Sequence, residues 1–285
     1  MRSAASEGAG VLRCRRMAPL VRTLFVAWQD PESRRIFPVA RLTRRRSGDY
    51  ELRYIGAVRT AQQHGFAGLP GFEEIEALHV SPELPAVFRE RPAPRRRVPS
   101  EPPGRPSSEL SGELLDATPI TLFVRRRPGD APERLEAFAP PLRAPDGRRW
   151  GVFEARGVGR VQESLEVLGA LAPHEPVLVR AERDNPYNPH ALLIVRRDGT
   201  PLGYVPDYLA NELAAVAGRT EPLELQAQLE LEVLESRRVT FAPAPLVYRV
   251  LCRYTCSPEL GRALFTSESY RPVPAAAQPS SSSAV

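Results

Sequence analysis

The most regular pattern in the chain is an alternation. Leu223, Leu225, Ala227, Leu229, Leu231 and Val233 are apolar, and Glu224, Gln226, Gln228, Glu230 and Glu232 between them are polar. Successive strand side chains point to opposite faces, so this period of two predicts a long strand with one wet face. Shorter runs rich in apolar and β-branched residues predict strands over 23–29, 36–42, 49–55, 121–125, 134–138, 150–155, 176–183, 191–197, 202–206 and 246–254. In the third of these, Tyr50, Leu52 and Tyr54 share one face and Glu51 and Arg53 the other. Helical spacing is rare. It occurs in 163–171, through Leu165, Leu168 and Leu171, and in 208–217, through Leu209, Leu213 and Val216, with Asp207 as N-cap and Gly218 as stop. The expected fold class is mainly β with short helices (α+β).

Where the patterns stop, the chain divides. Residues 1–22 are small, basic and acid-poor and are expected to be disordered, with Met17 an alternative start to Met1. Residues 23–88 form a small β-rich unit. In 89–118, Arg89, Arg91, Arg95, Arg96, Arg97 and Arg105 alternate with prolines and serines, which leaves too little apolar surface to fold and predicts an extended basic linker. Accessory strands fill 119–147, a second β unit spans 148–255, and 256–285 is read as a disordered tail rich in proline, alanine and serine.

Composition narrows the chemistry. All 39 basic residues are arginine. Without lysine there is no Walker A loop, no kinase β3 lysine and no Schiff base. A net charge of +5 with a pI near 9.4 suits a phosphate-bearing ligand. Cys14, Cys252 and Cys256 offer no disulfide framework, and no apolar run reaches the roughly 18 residues of a membrane span. The expected location is the cytoplasm, with no membrane contact. Cys252 and Cys256 lack a second ligand pair, and His64, His79, His174 and His190 are scattered, so neither a metal nor another cofactor is expected. No nucleophile elbow or metalloprotease motif is present, and Gly157-Val158-Gly159 lacks the third glycine of a dinucleotide loop. The protein is expected not to be an enzyme.

One stretch carries more specific information, Asp184-Asn185-Pro186-Tyr187-Asn188-Pro189-His190. Two prolines fix φ, and Asn and Asp side chains bond neighbouring backbone groups, so the chain must turn tightly with Tyr187 at the tip. Strand, Asn-Pro-Tyr-Asn turn, strand, Asp198-Gly199 hairpin, Leu202-Gly203-Tyr204-Val205-Pro206 strand and helix follow in an order that resembles the HIRAN domain. The resemblance covers about residues 148–255. It implies an OB-like β-barrel that binds DNA, as single strands or 3′ ends, in DNA repair or processing beside a helicase, nuclease or other repair protein. Carried over by position, it implies a stacking role for Tyr187, a turn-fixing role for Asn185, and a place near the ligand for Tyr204, with Arg183, Arg160 and Asn188 completing the candidate nucleic-acid-binding set. Two positions depart from the family pattern. Asn188 stands where the family has Asp, and Gly157-Val158-Gly159-Arg160 stands where it has Gly-Leu-Arg. In the first unit, the Val39-Ala40-Arg41-Leu42 strand, the Gly48 to Tyr54 strand and Gly71-Phe72 resemble the amino-terminal β-subdomain of HipA-type proteins, without any kinase motif. That likeness supports the alternative, a protein-interaction or regulatory module that does not bind nucleic acid.

Overall fold

The structure is a computed structural model and describes residues 23–88, 119–124, 133–161, 165–217, 228–239 and 247–274. The expected basic start, the linker at 89–118, Gly218, the strand residues 223–227 and the tail beyond 274 lie outside the described residues.

The first unit is an antiparallel sheet of β1 (Thr23–Gln29), β2 (Ile36–Arg44), β3 (Tyr50–Tyr54), β4 (His79–Ser81), β5 (Ile120–Val124) and β6 (Glu133–Phe138), in the order β4-β3-β2-β1-β6-β5. The accessory strands β5 and β6 therefore complete this sheet, β6 pairing with β1 from Phe25↔Phe138 to Gln29↔Arg134. Strand β1 is apolar on both faces because both are covered. Val26 and Trp28 pack into a core with Leu42, Leu52, Tyr54 and the short helix α1 (Val58–Gln63). Phe25 and Ala27 face the other way, into the core of the second unit.

That second unit is a seven-stranded antiparallel sheet of β7 (Leu142–Arg143), β8 (Arg149–Glu154), β9 (Glu175–Glu182), β10 (Ala191–Val195), β11 (Pro201–Tyr204), β12 (Leu229–Val239) and β13 (Val247–Cys256). Its order is β11-β10-β9-β12-β13-β8-β7. The sheet curls until Arg156, two residues past β8, pairs with Tyr204 on β11, each backbone N–H donating to the other's carbonyl at 2.8 Å. Among the described residues this single bridge is the backbone pairing between the two edges, so the expected OB-like barrel is a curled sheet with no continuous closing ladder. Gly203 permits the close approach. Its φ is +150°, and a Cβ there would lie 2.8 Å from the Arg156 carbonyl oxygen. Helices α2 (Val158–Val161), α3 (Leu165–Gly169) and α4 (Asp207–Ala217) accompany the sheet, α4 burying Tyr208, Leu209, Ala210 and Leu213.

The long alternating pattern is found as strand from Leu229, with Leu229, Leu231 and Val233 inward as expected, but it continues to Val239. A bulge between Val233 and Glu235 shifts its phase, and Ser236 then donates its hydroxyl to the Leu168 carbonyl at 2.7 Å. The expectation of a disordered tail from 256 is corrected for residues 256–274. Helix α5 (Pro258–Ala263) starts with proline in its first turn, and the Ser257 hydroxyl accepts the Leu260 N–H at 3.2 Å. Leu260, Leu264, Phe265, Tyr270 and Val273 are buried. The segment then returns to the first sheet, where the Val273 N–H donates to the Tyr54 carbonyl at 2.9 Å. An aromatic cluster seals this contact. The rings of Phe25 and Tyr270 lie 5.1 Å apart, those of Phe138 and Phe265 5.5 Å, and those of Phe138 and Tyr208 stack at 3.9 Å. The two sheets thus share one apolar core.

Candidate nucleic-acid interface

The turn after β9 is built by its own amides. The Asn185 Oδ1 accepts the N–H groups of Tyr187 at 3.0 Å and Asn188 at 3.2 Å, which closes an Asx turn over Pro186. Its Nδ2 donates to Glu182 Oε2 at 3.3 Å. Asn188 is buried, its Oδ1 accepting the His190 N–H at 2.9 Å and its Nδ2 donating to Asp207 Oδ1 at 2.9 Å. The other oxygen of Asp207 accepts the Ile36 N–H at 3.4 Å, so one carboxylate ties the turn, helix α4 and the start of β2 together. With both asparagines occupied in this way, Tyr187 is left 63% exposed at the tip.

Beside the turn lies a polar face of the curled sheet. The Tyr204 hydroxyl donates to Glu182 Oε2 at 2.8 Å, the same oxygen that Asn185 reaches. Burial raises the Tyr204 pKa, and the hydrogen bond to Glu182 and its charge raise it further, against the opposing charge of Arg180. Gly157, at φ +63°, lets the loop before α2 run under the ring, since a Cβ there would sit 3.3 Å from Tyr204 Cδ2. Across the ladder, Leu193 pairs with Tyr204 on one side and Arg180 on the other. On β9, Leu178 and Arg180 are exposed while Val177 and Val179 are buried. Arg183, at the end of β9, and Arg160, on α2, are also exposed.

The six expected residues therefore divide. Tyr187, Arg183 and Arg160 are exposed, and Tyr204 is half-buried with its hydroxyl engaged. Asn185 and Asn188 are corrected to builders of the turn, because their polar atoms are consumed by backbone groups, Glu182 and Asp207. Arg180 and Glu182 were missed by motif reading. Strand alternation alone would have found Arg180, since it falls between inward Val179 and the half-buried Ala181 on the polar phase of β9.

Behind the face, Arg156 turns inward. Its guanidinium meets Glu136, whose other oxygen accepts the Tyr208 hydroxyl at 2.8 Å. Next to this pair, Arg249 donates to Glu154 Oε2 at 2.5 Å, and Arg134 lies 3.8 Å from its Oε1. Burial lowers the Arg156 pKa well below its usual value, and the charge of Arg134 adds to the effect. Burial also raises that of Tyr208. These groups come from β6, from β8 and the loop just past it, from β13 and from α4, so the cluster pins the two sheets to each other.

Cys252 and Cys256 both lie in β13, where burial pushes their thiols up to about 12 and about 11. Among the described residues no group of three or more His, Cys, Asp or Glu side chains is placed to hold a metal ion. No helix among them is long and apolar enough to cross a membrane.

With this geometry in place, the fold can be set beside known proteins. The chain is similar to the crystal structure of the HIRAN domain of human HLTF, at 17% identity and a TM-score of 0.27, over 40% of this chain and 82% of that one. No family model matches the chain. No curated protein matches it either.

Proposed function

We propose that this protein binds single-stranded DNA, without catalysing a reaction on it, through the face formed by Tyr187, Tyr204, Arg160, Arg180 and Arg183. The observation that carries the reading is Tyr187, a large aromatic side chain 63% exposed on a turn whose two asparagines are fully occupied in holding it. Such a ring offers a sequence-tolerant stacking surface, and arginines around it suit the phosphates of the same strand. The order of strands and turn that resembles the HIRAN domain supports DNA as the ligand and repair or processing as the setting, with a helicase or nuclease as the companion activity. Strand binding, rather than reading of a 3′ end, is supported by Asn188, which is buried with its amide turned to Asp207 and the His190 N–H rather than outward to a terminal hydroxyl.

Fluorescence anisotropy with labelled oligonucleotides tests this. The expected result is salt-sensitive binding of single strands, weaker binding of blunt duplex, and equal affinity for 3′-hydroxyl and 3′-phosphate ends. Absence of binding to every oligonucleotide would overturn it.

A further inference from the structure

The turn that presents Tyr187 has a second side. There, Asn188, Pro189 and His190 form one wall of a groove of 440 Å³, Arg35 of the β1–β2 loop forms another, and Asn211, Ala214 and Ala215 of α4 form its floor. Arg35 and Tyr187 belong to different units, yet both sides of the groove are fixed by the same carboxylate. Asp207 holds Ile36, next to Arg35, through one oxygen and Asn188, next to Tyr187, through the other.

The chemistry of the groove is that of a donor-lined channel. The Arg35 guanidinium lies 5.2 Å from the centroid of the Phe37 ring, and no carboxylate among the described residues pairs with it. Phe37 in turn packs against His64 at 4.6 Å and Trp28 at 6.2 Å, so the arginine stands on a fixed aromatic base. The loop that carries it is closed by Asp30, whose carboxylate accepts the Glu32 N–H at 3.0 Å and the Ser33 N–H at 3.3 Å. His190 and Asn211 are exposed, and their side chains make no hydrogen bond among the described residues. No carboxylate lines the groove, and Asp207, which bonds its Asn188, is already taken up by two donors. A planar guanidinium, an imidazole and a carboxamide around small alanines suit a phosphodiester.

Building on the single-strand reading above, we infer that a strand stacked on Tyr187 continues over the turn into this groove, where Arg35, His190 and Asn211 hold its phosphates. The first unit then supplies part of the binding surface. Its sheet is not a passive neighbour.

The test uses the full chain, labelled oligothymidylates of roughly four and roughly twelve nucleotides, and anisotropy over a range of salt. Arg35→Gln is expected to weaken the longer oligonucleotide by about tenfold, the cost of one charge-assisted phosphate contact. It should also reduce the salt slope by about 0.7, the value for one phosphate on a single strand, while leaving the shorter oligonucleotide unaffected. Ala215→Glu, a helix-compatible change at an exposed position, places a carboxylate in the groove and is expected to weaken the longer oligonucleotide in the same way. Unchanged affinity and slope in both variants, with wild-type protein binding normally, would overturn the groove's role and leave the Tyr187 reading intact. Failure of the wild-type protein to bind any oligonucleotide would overturn both.

Discussion

The same three residue types, tyrosine, arginine and glutamate, build two regions of the molecule, one buried between the sheets and one on the outer surface of the second. At the junction, Tyr208, Arg156 and Glu136 are sequestered between the sheets and bonded to one another. On the outer face, Tyr204 bonds Glu182 in partial contact with water, and Arg180 and Tyr187 stand exposed. The difference lies in what each charge has for company. In the junction a charge removed leaves its partner unsolvated, whereas on the face water replaces whatever is lost. Changes at the junction should therefore register as stability, and changes on the face as binding.

The largest effect is expected for Glu136→Ala. It strands Arg156 in the core and removes the acceptor of the Tyr208 hydroxyl, with an expected loss of about 3–5 kcal/mol in urea-induced unfolding. A loss below about 1 kcal/mol would mean that water reaches the cluster and that the junction is no more demanding than the surface. Next comes Tyr187→Ala. Single-strand affinity is expected to fall by about 1–3 kcal/mol, the worth of one stacked base, while the unfolding midpoint stays within the change of about 0.5 kcal/mol typical of surface positions. A large stability loss with unchanged affinity would assign the ring to packing.

The smallest effect is expected at a buried carboxyl. Glu212 is buried on α4 and its carboxylate accepts the Phe265 N–H at 2.8 Å. Burial raises its pKa above 4.5, against the lowering effect of that hydrogen bond. A carboxyl whose folded pKa lies above its unfolded value contributes stability that is fully present below the unfolded value and lost as pH rises through the folded one. Stability should therefore decline as pH rises from about 4.5, and Glu212→Gln, which keeps an acceptor for Phe265, should remove that decline. Thermal unfolding of both proteins between roughly pH 4 and pH 7 checks it. An identical slope in the variant would place the titration elsewhere.

Local signals carried much of this structure, and long-range ones did not. Alternation was enough for β3, β9 and β13, because each buries every second side chain against a neighbour. The turn was legible because proline and asparagine act within a few residues of themselves. What Asn188 bonds was not, since Asp207 lies 19 residues on, and the choice between a ligand group and a turn tether depends on that distant carboxylate. The junction was invisible for the same reason. Glu136 and Tyr208 are 72 residues apart, and Glu154 and Arg249 95, so the sequence shows them only as polar positions in strand-like runs and one helical one. Residues 258–274 were read with the low-complexity chain that follows them, although Leu260, Leu264 and Phe265 supply the apolar anchors that fold them back.

If Tyr187 stacks on a base, photo-crosslinking should capture the contact. A single-stranded oligonucleotide carrying 5-bromodeoxyuridine would be irradiated with the full chain and the modified peptide sequenced. The expected result is a crosslink at Tyr187, lost on adding unlabelled single strand. Crosslinks confined to the first sheet away from Arg35, with Tyr187 unmodified, would contradict it.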